Sequence, residues 1–173
     1  QYLDQNKEAE ERIYEGETPG VSYGDIAERY YTVGQYMKEV KDVSKAMVAA
    51  GDSYICDEYL NAMGSPEAES VYVLHDLNND GIEEFFIGLK FNYDTPYYVI
   101  YDVYTWKDGR AYQLMRGIGY RNGSCKICEN GVIEDNYSGS AWDGQTLYHI
   151  LPEGGIELET IDSVSSRRDG TVQ

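Results

Sequence analysis

Asp76, Asn78 and Asp80 stand at alternate positions, Gly81 follows directly, and Glu84 closes the run Asp76-Leu77-Asn78-Asn79-Asp80-Gly81-Ile82-Glu83-Glu84. That spacing turns three short oxygen-bearing side chains toward one centre. Gly81 permits the sharp turn that aims the Ile82 carbonyl at the same point. A hard cation such as Ca²⁺ takes about six to eight oxygen ligands at roughly 2.3–2.6 Å, from carboxylates, amides, carbonyls and water. The stretch is therefore a candidate calcium loop, with Asp76, Asn78, Asp80, Ile82 and Glu84 as its ligands. The same residue types also build metal-free turns between strands, because Asn, Asp and Gly dominate turns.

The residues after the loop narrow its type. An EF-hand requires a bidentate Glu at the twelfth loop position and a helix through it. Counted from Asp76, the twelfth residue is Ile87, inside Phe85-Phe86-Ile87-Gly88-Leu89, an aromatic and β-branched run that reads as a strand. The stretch from Asp76 to Gly88 instead resembles the calcium loops of FG-GAP and VCBS-type repeats, in which Asp-x-Asn-x-Asp-Gly-x-x-Asp runs into a strand. The resemblance implies Asp76, Asn78, Asp80, the Ile82 carbonyl and Glu84 as ligands. Glu84 replaces the usual Asp, and the chain holds no second copy, so a metal site is implied and a propeller is not.

A wider likeness spans residues 20 to 160. It comprises a helical region, a Tyr-rich strand entering the loop, a hairpin Val103-Tyr104-Thr105-Trp106-Lys107-Asp108-Gly109, and further Gly-punctuated strands. This order resembles uncharacterised secreted lipoproteins of Gram-positive bacteria. It implies a secreted or cell-surface location and a lipid anchor upstream, and carries no activity with it. A chain that opens at Gln1 without Met fits a processed or recombinant mature region.

Other residues that could do chemistry form weaker patterns. Cys125-Lys126-Ile127-Cys128 has redox or zinc spacing, but it lies in a predicted strand, where residues three apart face opposite ways. Buried thiols, or a disulfide from Cys56 to one of the other two, are the ordinary readings. His75 alternates away from Asp76, and His149 has no nucleophile signature near it. There is no Gly-x-Ser-x-Gly elbow and no phosphate-binding Gly-rich loop with its Lys. Asp and Glu total 31, so no carboxylate pair is singled out for glycoside hydrolysis. Trp106, Trp142, Tyr137 and Tyr148 form a candidate aromatic ligand surface, with burial in the core as the alternative.

Composition sets the surroundings of these residues. The formal net charge is −17 over 173 residues, a field that repels nucleic acid and anionic membrane surfaces and attracts cations. No apolar stretch is long enough for a membrane helix. Eighteen tyrosines against three phenylalanines fit a Tyr-rich, partly wet sheet or an aromatic binding face.

The elements that must position the loop are legible from periodicity. Residues 2–14 read as a short charged helix. Ser22 with Asp25 marks a helix start, and Ile26, Tyr30, Val33, Met37, Val40 and Met47 continue one apolar stripe to about Ala50, with Gly51 as the stop. A further helix is expected over Ser53 to Met63. After Pro66 the period changes to that of strands: 70–74, 84–89, 97–106, 111–118, 124–128, 132–137, 145–151 and 156–161. Short Asn/Asp-Gly connections between them require antiparallel neighbours. The predicted fold is α+β: a helical region over 1–66 packing on an antiparallel meander of about eight strands over 67–165, together one domain.

These features point to a non-catalytic extracellular or cell-surface module with one structural Ca²⁺, meeting a protein or glycan partner at the cell surface. The alternatives are a secreted carbohydrate- or peptidoglycan-active enzyme using paired carboxylates, or a protein-binding module using a Tyr-rich sheet face or an edge strand.

Overall fold

The computed structural model describes residues 22–51, 54–116, 124–128, 131–138, 142–150 and 158–167. The predicted helix over 2–14 lies outside them. Helix α1 (Tyr23–Val40) starts on a capping box: the Ser22 hydroxyl accepts from the Asp25 N–H, and the Asp25 carboxylate accepts from the Ser22 N–H. Its buried stripe is Ile26, Tyr30, Val33 and Met37, as the periodicity predicts, with Gly34 beside it.

The single helix expected through Ala50 is two helices. Lys41 takes a left-handed φ of 49°, and the Asp42 side chain accepts the Lys45 N–H to start α2 (Val43–Ala50). The change of axis moves burial to Ala46 and Ala50 and leaves Met47 exposed. Gly51 ends α2, as expected. Helix α3 (Asp57–Met63) starts later than Ser53, capped by the Cys56 sulfur, which accepts the Tyr59 N–H at 3.4 Å.

The α+β class holds, with antiparallel sheets throughout. The single predicted meander is instead divided. Strands β1 (Ala68–His75), β2 (Glu84–Phe91), β3 (Tyr97–Lys107) and β4 (Arg110–Arg116) form one four-stranded sheet in sequence order. Strands β5 (Ser124–Ile127), β6 (Val132–Ser138), β7 (Trp142–Ile150) and β8 (Leu158–Arg167) form another. The reason is burial. On β2, Phe85, Ile87, Leu89 and Phe91 pack against the helices, while Phe86 joins Val103, Leu114 and Met115 on the opposite face. One continuous sheet would leave that second face in water. The second sheet covers it with Ile133, Tyr148 and Ile150. The described residues thus make three layers: helices, first sheet, second sheet.

Asp108 and Gly109, at φ 49° and 82°, make the two-residue β3–β4 turn that the sequence predicts. Among the described residues no helix is long and apolar enough to cross a membrane.

Candidate functional site

The loop from Asp76 to Glu83 joins β1 to β2, so a strand leads in and a strand leads out, as the residues after it require. Asn79 and Gly81 adopt left-handed φ values of 58° and 88°. These curl the backbone so that its N–H groups face the acidic side chains. Asp76 accepts from Asp80 N–H at 3.1 Å through Oδ1 and from Gly81 N–H at 3.0 Å through Oδ2. The Asn78 Oδ1 also accepts from Asp80 N–H at 3.2 Å, and Asp80 Oδ1 accepts from Ile82 N–H at 2.8 Å. The Asn78 amide donates to Asp80 Oδ2 at 3.0 Å.

Glu84 differs from the others in being fully buried. Its Oε2 accepts the Leu77 N–H at 2.9 Å and its Oε1 accepts the Thr105 hydroxyl at 3.2 Å. Burial raises its pKa, those two hydrogen bonds partly offset the rise, and the charges of Asp80 and Asp76 add to it. The loop therefore gathers negative charge beside a carboxylate held out of water.

The donor chemistry fits an oxygen-liganded cation. A carboxylate oxygen that accepts one N–H keeps a second lone pair. Among the described residues, no three His, Cys, Asp or Glu side chains converge as a metal-holding group. A cation held by Asp76, Asn78, Asp80, Ile82 and Glu84 together would need the three carboxylates to draw closer than they stand, with the Asn78 amide oxygen and the Ile82 carbonyl completing the set.

Sequence reasoning did not show that all three layers meet at this loop. Leu77 is buried in the core between the sheets, and Gly131, just before β6, lies so close that a Cβ there would stand 2.7 Å from the Leu77 carbonyl oxygen. From the helical layer, the Tyr23 hydroxyl donates to the Glu83 carbonyl at 2.8 Å, and its ring stacks on Phe85 with centroids 5.1 Å apart. His75 ends β1 exposed.

The other candidate residues are dispersed. Trp106 meets Tyr23 edge-on at 5.5 Å on the helical side of the first sheet, whereas Tyr148 is buried between the sheets, so these two share no surface. The side chains of Tyr137 and Trp142 lie outside the described residues. Cys56, Cys125 and Cys128 are free thiols, so the disulfide reading for Cys56 does not hold. Burial pushes the Cys56 thiol well up, which makes it a poor nucleophile.

A second acidic centre went unseen in the sequence. Asp102 is fully buried, accepts the Tyr30 hydroxyl, and stands 3.6 Å from the Cys56 sulfur. Tyr30 and Tyr104 hydroxyls are 2.9 Å apart, and Gln113 Nε2 donates to Tyr104 at 3.0 Å. Asp102 reaches the helical side because the β2–β3 register shifts between Ile87 and Gly88, leaving Tyr101 as an extra residue. The available signal was one carboxylate inside the aromatic run Tyr97 to Trp106.

Near this centre, Glu58 on α3 is pushed up to about 7, first by burial and then by the Asp57 side chain. An unfolded Glu58 loses its proton near 4.5, whereas the folded one holds it to about 7. The folded state then binds more protons between those values, so stability falls as pH rises through that window. Urea titrations at pH 5 and pH 8 should show Glu58→Gln narrowing the difference; an unchanged difference would assign it to other groups.

A hollow of about 500 Å³ opens on the outer face of α1 and α2, lined by Tyr36, Asp42, Ser44, Lys45, Val48 and Ala49. Among the described residues its one carboxylate is Asp42, which already caps α2. Comparison with protein-family models, with curated proteins and with solved structures finds no match for this chain.

Proposed function

We propose that the protein is a non-catalytic extracellular or cell-surface module whose three layers are tied by one Ca²⁺ at Asp76, Asn78, Asp80, Ile82 and Glu84. The observation that carries this reading is the loop's position. Its acidic side chains sit where β1 turns into β2, with Tyr23 on one side and Gly131 on the other. A bound divalent ion supplies positive charge to carboxylates that otherwise repel one another beside the buried Glu84. Asp76, Asn78 and Asp80 shape the turn through their hydrogen bonds to its backbone, and Glu84 fastens Leu77 to the start of β2. The role is architectural: the strands enter and leave the corner in one register, which holds Leu77 in the core between the sheets.

Calorimetric titration of chelator-stripped protein tests the reading, with Asp80→Ala beside the wild type. One saturable ion, lost in the variant, supports it; no binding up to millimolar Ca²⁺ reduces the loop to a turn. Binding also predicts a linkage. With free Ca²⁺ about 100 times the dissociation constant, the folded state gains about 2.7 kcal/mol. Asp80→Ala should therefore lower the melting temperature far more in Ca²⁺ than in chelator. Equal losses in both media would refute a metal at this loop.

A further inference from the structure

Among the described residues, the first sheet ends in a strand whose outer edge pairs with no other strand. Strand β1 borders β2 alone in the strand order. The Asn92 N–H donates to the Glu67 carbonyl at 3.0 Å, one step before the pair Ala68–Phe91. Antiparallel pairing alternates, so Glu69, Val71, Val73 and His75 turn their backbone groups toward β2. Ala68, Ser70, Tyr72 and Leu74 turn theirs to the open edge. The Lys38 ammonium already occupies the Ala68 carbonyl, and the chain leaves the strand after His75. Among the described residues, three residues of open edge remain: Ser70, Tyr72 and Leu74.

Natural edge strands are blunted by Lys, Pro or bulges. Strand β1 has neither Lys nor Pro, and it pairs with β2 without a register shift. Its last apolar side chains stand in water, with Tyr72 60%, Val73 57% and Leu74 42% exposed. We infer that β1 pairs antiparallel with β1 of a second copy, Tyr72 opposite Tyr72, joining the two first sheets into one continuous sheet.

The register follows from which residues are open. Centred on Tyr72, Ser70 faces Leu74 of the second copy, Tyr72 faces itself, and each facing pair exchanges two backbone hydrogen bonds. A shift by one pair in either direction sets an open residue against the Lys38-capped Ala68 or against Asp76, outside the strand. In the centred register Val71 also meets Val73, and the Glu69 carboxylate meets the His75 imidazole, which supplies an N–H donor. No like charges oppose one another across the seam, and the interface is self-complementary, as a two-fold dimer requires. The opposing term is the net charge of −17 on each copy, which salt screens.

Sedimentation equilibrium of the full chain from about 10 µM to about 1 mM tests the dimer. The expected result is a monomer–dimer equilibrium that tightens as salt is raised. Tyr72→Lys sets two ammonium groups against each other at the symmetry axis and should weaken association at least about tenfold, while Tyr72→Phe keeps it. Tyr72 is largely exposed, so both variants should fold; circular dichroism checks this. Independently, Tyr72→Cys should cross-link two copies under mild oxidation, because facing Cα atoms about 5.5 Å apart suit a disulfide. Val48→Cys, on exposed α2, should not. A monomer at every concentration overturns the inference, as does a dimer that Tyr72→Lys leaves intact.

Discussion

Alanine in place of Gly88 should cost the protein more than about 3 kcal/mol, the range of severe overpacking, and valine there should yield no cooperatively folded protein. Gly88 lies on β2, between β1 and β3. A Cβ built there would stand 2.1 Å from the Val99 carbonyl oxygen, 3.0 Å from the Val99 carbonyl carbon and 3.1 Å from the Ile100 Cα. All three atoms are backbone, so no side chain can rotate away. Relief requires β3 to separate from β2, which breaks the ladder between them and shifts the bulge that brings Asp102 to the helices. For a chain of this size, about 3 kcal/mol corresponds to a fall of roughly 6–12 °C in melting temperature. Thermal melts followed by circular dichroism decide the matter. An alanine variant melting within a degree or two of the wild type would show that the strands yield easily.

Asp102→Leu is expected to lose about 3 kcal/mol, the scale for removing one partner from a buried polar network, and Asp102→Asn distinctly less. Leucine keeps the branched shape with bulkier methyl groups, but it removes the acceptor for the Tyr30 hydroxyl and leaves that hydroxyl among Tyr104 and the Cys56 thiol. Asparagine keeps an oxygen in the same place. The order Asp, Asn, Leu in urea midpoints is the test. A leucine variant more stable than the wild type would mean that desolvating the carboxylate costs more than its hydrogen bonds return, as in other buried ionic clusters.

Chemistry confined to neighbouring residues was legible from the chain. Ser22 and Asp25 cap a helix because their side chains reach backbone groups three positions away. Asp108-Gly109 forms a tight hairpin because its left-handed backbone suits those residues. The alternation of Asp76, Asn78 and Asp80 before Gly81 places their oxygens on one curled turn, and the hydrogen bonds of that turn follow. The approximate bounds of the strands came from the same local source, since a period of two needs no knowledge of what covers either face.

Features that depend on distant partners were not legible. The break at Lys41 depends on Asp42 acting as a cap, and the same residue reads equally well as a solvated position on one long helix. The division into two sheets was partly written in Phe85-Phe86-Ile87, a run apolar on both faces, but only a second layer reveals what the Phe86 side meets. Asp102 enters the core through a one-residue bulge, and a slip of one residue reverses every side chain beyond it. Gly131 meets Leu77 across more than fifty residues of chain, a proximity that no local spacing encodes. The sequence by itself thus determined the candidate ligand set, the class of fold and the acidic field around the loop. Tertiary structure alone decided that the loop is held from three layers, that Asp102 as well as Glu84 is buried, and that β1 borders β2 alone among the described residues. The first group rests on bonds within a few residues, and the second on burial and close approach between segments far apart in the chain.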